Sequence, residues 1–299
     1  MAGQLGRFVD GRREHYLAAY RAGMAELPAF DAESDVSTSY GTVHTYHFAA
    51  QHDSTPVVLL PGRNAATPMW CANLAGLTAR RSVYCLDLLG EAGLSVQTRP
   101  ITDAHDQARW LEETLAGLGL QRVHLMGVSI GGWAAANHAV RFPDRVASLA
   151  LLEPVFTFAP IPLRTLAASA LLTLPGVPVR LRRWFLSWLS GGVDLEVALP
   201  EARLIDAAMT DFALRLPAPS RITDDQLRSL TMPVLAFLGG RSVMLDARKA
   251  ARHARDTVPA VQVEVFPEAS HAVNGEFAEE IERQVLPFWD AADPLNSGM

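Results

Sequence analysis

The stretch Val123-His124-Leu125-Met126-Gly127-Val128-Ser129-Ile130-Gly131-Gly132 decides how the rest of the chain is read. An apolar, strand-like run passes into G-x-S-x-G and then into helical sequence from Trp133 to Arg141. In that setting the glycines have a mechanical meaning. A strand that turns sharply into a helix strains its central residue, and only glycine fits two positions to either side. The turn lifts the Ser129 hydroxyl above the end of a sheet, at a helix N-terminus whose dipole favours developing negative charge. A glycine-rich turn with an idle serine is the bland alternative, and the strand–helix context argues against it.

Outward from this elbow the chain keeps a rhythm. Apolar strands Val57–Leu60, Val83–Leu86, Val146–Leu152, Val234–Leu238 and Val261–Phe266 flank Val123–Val128. They alternate with helical segments near 69–80, 102–118, 131–141, 244–257 and 276–288. The alternation predicts an α/β fold, a mostly parallel sheet covered by helices on both faces. Val36–Phe48 alternates in polarity around Tyr40-Gly41, which reads as a β-hairpin. Phe8, Tyr16, Leu17, Tyr20 and Met24 recur at helical spacing and predict a helix over 5–26, within an N-terminal helical extension of 1–30. The rhythm stops between Leu152 and Val234, where Phe156, Phe158, Trp184, Phe185 and Trp188 lie in helical and loop sequence. Residues 155–228 are therefore expected to be an inserted helical cap over one end of a core formed by 1–154 and 229–299.

Composition narrows the function classes. Of 299 residues, 49% are hydrophobic and 19% charged, so a large buried core is expected and wholesale disorder is not. A net charge of −6 offers no attraction to a phosphate backbone, which argues against nucleic acid as a partner. The two cysteines, Cys71 and Cys85, cannot build a disulfide framework and have no metal-ligand spacing. No metal and no cofactor are expected. The N-terminus has arginines but no continuous apolar core of a leader, and no apolar run is long enough to span a bilayer. A cytoplasmic location is the default, and a homo-oligomer is compatible with all of this.

A serine hydroxyl needs a base within hydrogen-bond reach. Of nine histidines, eight precede the parallel strands, lie on predicted helices or, as with His124, lie within a strand. His271 differs, because it sits in the short loop Pro267-Glu268-Ala269-Ser270-His271 between the last strand and the last helix. Loops at the carboxyl ends of strands are where open α/β sheets gather their reacting groups.

Taken together, the elbow, the placement of His271 and the motifs below resemble the α/β-hydrolase family, specifically its carboxylesterase-like members with a helical cap. The resemblance covers residues 36–291. Asp87-Leu-Leu-Gly90-Glu-Ala-Gly93-Leu-Ser95 matches a family signature but is one residue longer than its usual spacing. Arg141-Phe-Pro-Asp-Arg-Val146, leading into the next strand, is also typical. The resemblance implies a serine hydrolase acting on a small, apolar ester through an acyl-enzyme on Ser129, with His271 as base. It implies an oxyanion hole from the backbone N–H groups of Ile130 and Arg63, the latter in Leu60-Pro61-Gly62-Arg63-Asn64, where Pro61 departs from the family's more frequent histidine. Asn64, Phe156, Phe158 and Trp188 are expected at the substrate pocket. A thioesterase, lactonase, C–C bond hydrolase or cofactor-free haloperoxidase would share the same triad. A hydrolase-fold ligand-binding protein is the non-enzyme alternative.

The triad acid is the open position. The family's usual G-x-x-D after the strand Val234–Leu238 reads Gly239-Gly240-Arg241-Ser242, so a serine stands where the carboxylate is expected. Asp246 lies about one helical turn further on, where it could instead cap a helix. Glu153 lies at the end of the strand that follows the nucleophile, and some family members carry their acid there. Glu153 is favoured over Asp246, against the alternative of a polar strand-end residue before Pro154.

Overall fold

The computed structural model describes residues 5–50, 54–172, 177–192 and 200–293, apart from the side chains of 170–172 and 179. The chain opens with β1 (Arg7–Phe8), α1 (Arg13–Met24), β2 (Ala32–Thr38), β3 (Gly41–Phe48) and β4 (Val57–Leu60). It continues through α2 (Cys71–Thr78), β5 (Val83–Leu86), β6 (Val96–Gln97), α3 (Ala104–Gly117), β7 (Val123–Val128), α4 (Ile130–Arg141) and β8 (Val146–Leu152). Next come α5 (Leu163–Leu172), α6 (Val179–Leu189), α7 (Pro200–Asp211), β9 (Phe212–Ala213) and α8 (Asp224–Arg228). The last elements are β10 (Val234–Gly239), α9 (Ala247–Thr257), β11 (Val261–Phe266), α10 (Val273–Glu276) and α11 (Ala278–Ala292).

The main sheet runs in the order β11-β10-β8-β7-β4-β5-β3-β2, and β6 pairs with β3. From β11 to β5 every pairing is parallel, while β2, β3 and β6 pair antiparallel at the other edge. The fold is an α/β-hydrolase fold. Its central strands read as continuous apolar runs because both faces are covered. In β4, Val58 and Leu60 pack on one face with residues of α3, α4 and α9, and Val57 and Leu59 pack on the other with α1, α2 and α11. β10 alternates in the same way, with Ala236 and Leu238 against Leu235 and Phe237.

Three local differences from the sequence reading have physical causes. The first helix begins at Arg13 rather than near residue 5, because Gly11 turns the chain at φ +73° and Arg7–Phe8 pairs antiparallel with β9. β2 starts four residues earlier than its apolar pattern suggested, because it is the outermost strand and Ala32–Asp35 are exposed. The final helical segment is interrupted at Phe277, which separates α10 from α11. The N-terminal segment also reaches the interval between β8 and β10: His15 Nδ1 lies 2.5 Å from the buried Asp211 carboxylate at the end of α7.

At the amino end of the sheet, away from Ser129, His124 is fully buried on β7 and stacks on Trp289. Its Nδ1 lies 2.8 Å from the Ser148 hydroxyl and its Nε2 lies 3.0 Å from Asp293. Burial holds its pKa down to about 4, against the pull of Asp293. The unfolded chain therefore takes up this proton first, so the stability tied to neutral His124 is complete above pH 6.5. It is lost as the pH falls through the window from about 6.5 to about 4. We expect the melting temperature to fall across that window, with a destabilisation on the order of 3 kcal/mol from this residue. His124→Gln should give a shallower dependence of melting temperature on pH between 7 and 4.5. An unchanged slope would remove His124 from the acid response.

Candidate active site

The elbow is built by close backbone approach. Ser129 takes φ 54° and ψ −113°, a left-handed conformation that a side-chain-bearing residue adopts only when its surroundings enforce it. Its N–H donates to Leu152 O of β8 at 2.9 Å, and its carbonyl accepts Trp133 N–H at 3.1 Å as α4 begins. A Cβ on Gly131 would fall on the Leu60 carbonyl oxygen, and one on Gly127 would fall on the Gly131 carbonyl. The two glycines are thus steric requirements of this turn.

His271 reaches the elbow from the loop between β11 and α10. Its Nε2 lies 3.0 Å from Ser129 Oγ, and its side chain is 13% exposed. The loop is tied on both sides: Ser270 donates its N–H and its hydroxyl to Glu276, each at 2.7 Å, and His271 N–H donates to Leu189 O of α6 at 3.2 Å. A Cβ on Gly239 or Gly240 would collide with this loop's backbone, so the Gly-Gly pair after β10 lets it pass close to the sheet.

The other imidazole nitrogen, Nδ1, lies 2.9 Å from Glu153 Oε2. Glu153 is fully buried at the end of β8, in a left-handed conformation at φ 49°. A buried carboxylate needs donors, and this one has them. Oε1 accepts Gly239 N–H at 2.7 Å, and Oε2 also accepts the Ser242 hydroxyl. With Nδ1–H donating to Glu153, Nε2 is the acceptor facing the serine hydroxyl.

The loop after β4 lies against the elbow: Ser129 Cβ is 3.8 Å from where a Cβ on Gly62 would stand. The amides of Arg63 and Ile130 donate to no other group among the described residues. Asn64 takes φ 59°. The Arg63 side chain folds toward the buried Glu91, at 3.7 Å. A cavity of about 410 Å³ is lined by Arg63 and Ile130 together with Leu88, Trp110, Trp133 and Leu216; Ser129 and His271 are not among its lining residues. None of the aromatic residues expected at the pocket lines this cavity. Phe158 is 1% exposed and belongs to the sheet core, and Phe156 is half-buried against the same core. Trp188 stacks on Trp184 and borders a separate open groove with Arg241 and Val243. Aromatic content in the β8–β10 interval did not distinguish core from lining.

A family model described as "Alpha/beta hydrolase family" matches residues 57–284. The chain belongs to the alpha/beta hydrolase family. Along nearly its whole length it is similar to two Bacillus subtilis (strain 168) proteins. One, "Uncharacterized carboxylesterase nap", is 28% identical over 283 residues, covering 92% of each chain. The other, "Carboxylesterase YbfK", is 27% identical over 284 residues, covering 92% of this chain and 94% of its own length. The crystal structure of naproxen esterase (carboxylesterase NP) from Bacillus subtilis superposes with a TM-score of 0.85 at 26% identity, covering 94% of this chain and 99% of that one.

Within the family signature, Asp87 is a structural tie. Its carboxylate accepts Thr67 N–H, Thr67 hydroxyl, Leu94 N–H and Tyr20 hydroxyl, all at 2.8–3.0 Å. At the position where the family more often carries its acid, Ser242 instead supplies a donor to Glu153. Asp246 makes no contact with His271. It caps α9 by accepting Lys249 N–H at 3.1 Å, and that bond, chiefly, lowers its pKa. Asp246→Ala is expected to cost about 1 kcal/mol of stability, as lost helix caps do. Ester hydrolysis per folded molecule should stay within about twofold. A drop of a hundredfold or more in activity would assign Asp246 to the reaction.

Proposed function

We propose that this chain is a serine carboxylesterase acting on small-molecule esters, with Ser129 as nucleophile, His271 as general base and Glu153 as the residue that orients His271. The observation that carries the reading is the unbroken relay of Ser129 Oγ to His271 Nε2 at 3.0 Å and His271 Nδ1 to Glu153 at 2.9 Å. Similarity to proteins named as carboxylesterases supports the choice of an ester as substrate.

The steps follow from acid–base chemistry. His271 Nε2 takes the hydroxyl proton as Ser129 Oγ attacks the ester carbonyl. The carbonyl oxygen gains charge beside the Arg63 and Ile130 amides and the N-terminus of α4, and preorganised donors of this kind stabilise it most in the transition state. Imidazolium His271 then protonates the departing alcohol, leaving an acyl group on Ser129. Water, deprotonated in turn by His271, attacks the acyl carbon, and His271 returns that proton to Ser129 Oγ as the acid leaves. Glu153 does not gain the proton; it holds the tautomer and stabilises the transient imidazolium. The helices of the β8–β10 interval touch this machinery through Leu189, and we assign residues 155–228 the role of a cap over it.

A fluorophosphonate probe should label the protein once, at Ser129, and Ser129→Ala should abolish both labelling and hydrolysis of p-nitrophenyl acetate. Full activity in the alanine variant would overturn the assignment. Glu153→Gln should lower kcat by about a thousandfold or more, since loss of the tautomer-setting carboxylate costs about ten-thousandfold in a serine protease. Circular dichroism should show that the variant is folded. Activity within tenfold of wild type would remove Glu153 from the triad.

A further inference from the structure

The stretch that carries α5 and α6 has a charge opposite in sign to that of the whole chain. Residues 155–192 hold four arginines, Arg164, Arg180, Arg182 and Arg183, and no aspartate or glutamate, in a chain of net charge −6. On α6, Arg183 and Trp184 follow Arg180 by three and four residues, so the three share one face, and all are exposed. On α5, Leu163, Arg164, Leu166 and Ala167 are exposed. Large apolar side chains thus stand among the arginines: Leu163 is 84% exposed, Trp184 56% and Leu166 39%. Val9, Phe30 and Val96 are the other large apolar side chains exposed among the described residues, and they lie on separate elements. Single exposed apolar residues are ordinary, whereas a concentration of them marks an interaction surface.

The two helices are joined at this surface. The Arg164 guanidinium lies over the Trp188 ring at 6.0 Å, and Trp188 stacks on Trp184 with ring centroids 5.8 Å apart. The Thr165 hydroxyl donates to Val243 O at 2.5 Å, which seats the start of α5 on the loop after β10. Arg241 and Val243 of that loop continue the surface along the open groove beside Trp184 and Trp188. Arg241 has Glu268 at 3.9 Å, so the loop adds little net charge and the arginines of α5 and α6 set the sign.

Arginines interleaved with leucine and tryptophan ask for a partner that takes both. A second copy of this chain, related by a two-fold axis, would set arginines against arginines. A soluble acidic surface would take the arginines and leave Leu163 and Trp184 without an apolar phase. The headgroup layer of an anionic bilayer takes both, since arginine meets phosphate while tryptophan and leucine reach the acyl boundary. No helix among the described residues is long and apolar enough to cross a membrane, so the contact is one of surface. We propose that the α5–α6 face docks this protein on an anionic lipid surface. The inference stands apart from the chemistry assigned to Ser129, although α6 is also the helix whose Leu189 carbonyl holds the His271 amide.

Vesicle flotation of the full chain tests this. The probes are vesicles of pure phosphatidylcholine and vesicles that also hold about 30 mol% phosphatidylglycerol, at low and at high salt. The wild-type protein should bind the anionic vesicles at least about tenfold more tightly than the neutral ones, and high salt should weaken that binding. Arg164→Gln combined with Arg180→Gln should lower the affinity by roughly twentyfold, on the order of fivefold for each charge removed. Leu163→Ser combined with Trp184→Ser should lower it by about tenfold or more. All four side chains are exposed, and circular dichroism should show both variants folded. Wild-type binding that is equal on the two compositions overturns the proposal, whether or not the variants fold. So does binding to anionic vesicles that survives undiminished in both folded variants. Wild-type protein that ignores both vesicles overturns it too. Concentration-dependent dimers in the ultracentrifuge, lost in the Leu163→Ser, Trp184→Ser variant, would then assign the face to a second copy of the chain.

Discussion

A strand that reverses into a helix within one residue needs its neighbours to come closer than side chains allow, and the rest of the site depends on that constraint. At Ser129 the backbone takes a left-handed conformation, and the first turn of α4 is pressed against the carbonyls of Leu60 and Pro61. Gly127 and Gly131 leave the room that this requires, and Gly132 does the same against Pro154. The ends of β4, β7 and β8 are thereby drawn to one point. Ser129, the Arg63 and Ile130 amides and Glu153 converge there because the strand ends do. Strained conformations of this kind cost on the order of 1–3 kcal/mol each and persist where the surroundings over-determine them. Ser129, Glu153 and Asn64 all have positive φ, and all three stand on this rim.

The second constraint is electrostatic. Glu153 is a fully buried carboxylate, which would be untenable without donors. Its donors come from three segments: Gly239 N–H at the end of β10, the Ser242 hydroxyl just beyond it, and His271 from the next loop. The serine at 242 and the glutamate at 153 are therefore parts of one arrangement. A carboxylate at 242 would place two negative groups against one histidine. A serine there places a hydroxyl where the glutamate needs one. The Gly239-Gly240 pair serves the same end by steric means, since it lets the His271 loop pass close to the sheet.

The histidine loop also joins the sheet to the helices between β8 and β10. Its Ser270 is held by Glu276, while its His271 amide is held by the Leu189 carbonyl of α6. The imidazole position therefore depends on both layers. The N-terminal segment contributes to the same coupling, because β1 pairs with β9 and His15 meets Asp211 at the end of α7, while Tyr20 from α1 reaches Asp87 in the core.

By itself the sequence determined the strand–helix alternation, the elbow serine and the loop histidine, because each is encoded locally. Two-sided burial makes parallel strands read as unbroken apolar runs, and a turn that excludes Cβ atoms must be written in glycine. The elements it missed were those whose partners are distant. The pairing of Arg7–Phe8 with β9 and the exposed half of β2 carry no apolar signature. Phe158 and Trp188 resemble each other as sequence, yet one is core and the other borders a groove, which depends on where their helices and loops pack. Ser242 read as a missing acid until the fold set it against Glu153. Local chemistry is legible in a chain because it repeats at fixed spacing. The partner of a buried charge is not, because it arrives from whichever strand end or loop the tertiary structure brings alongside.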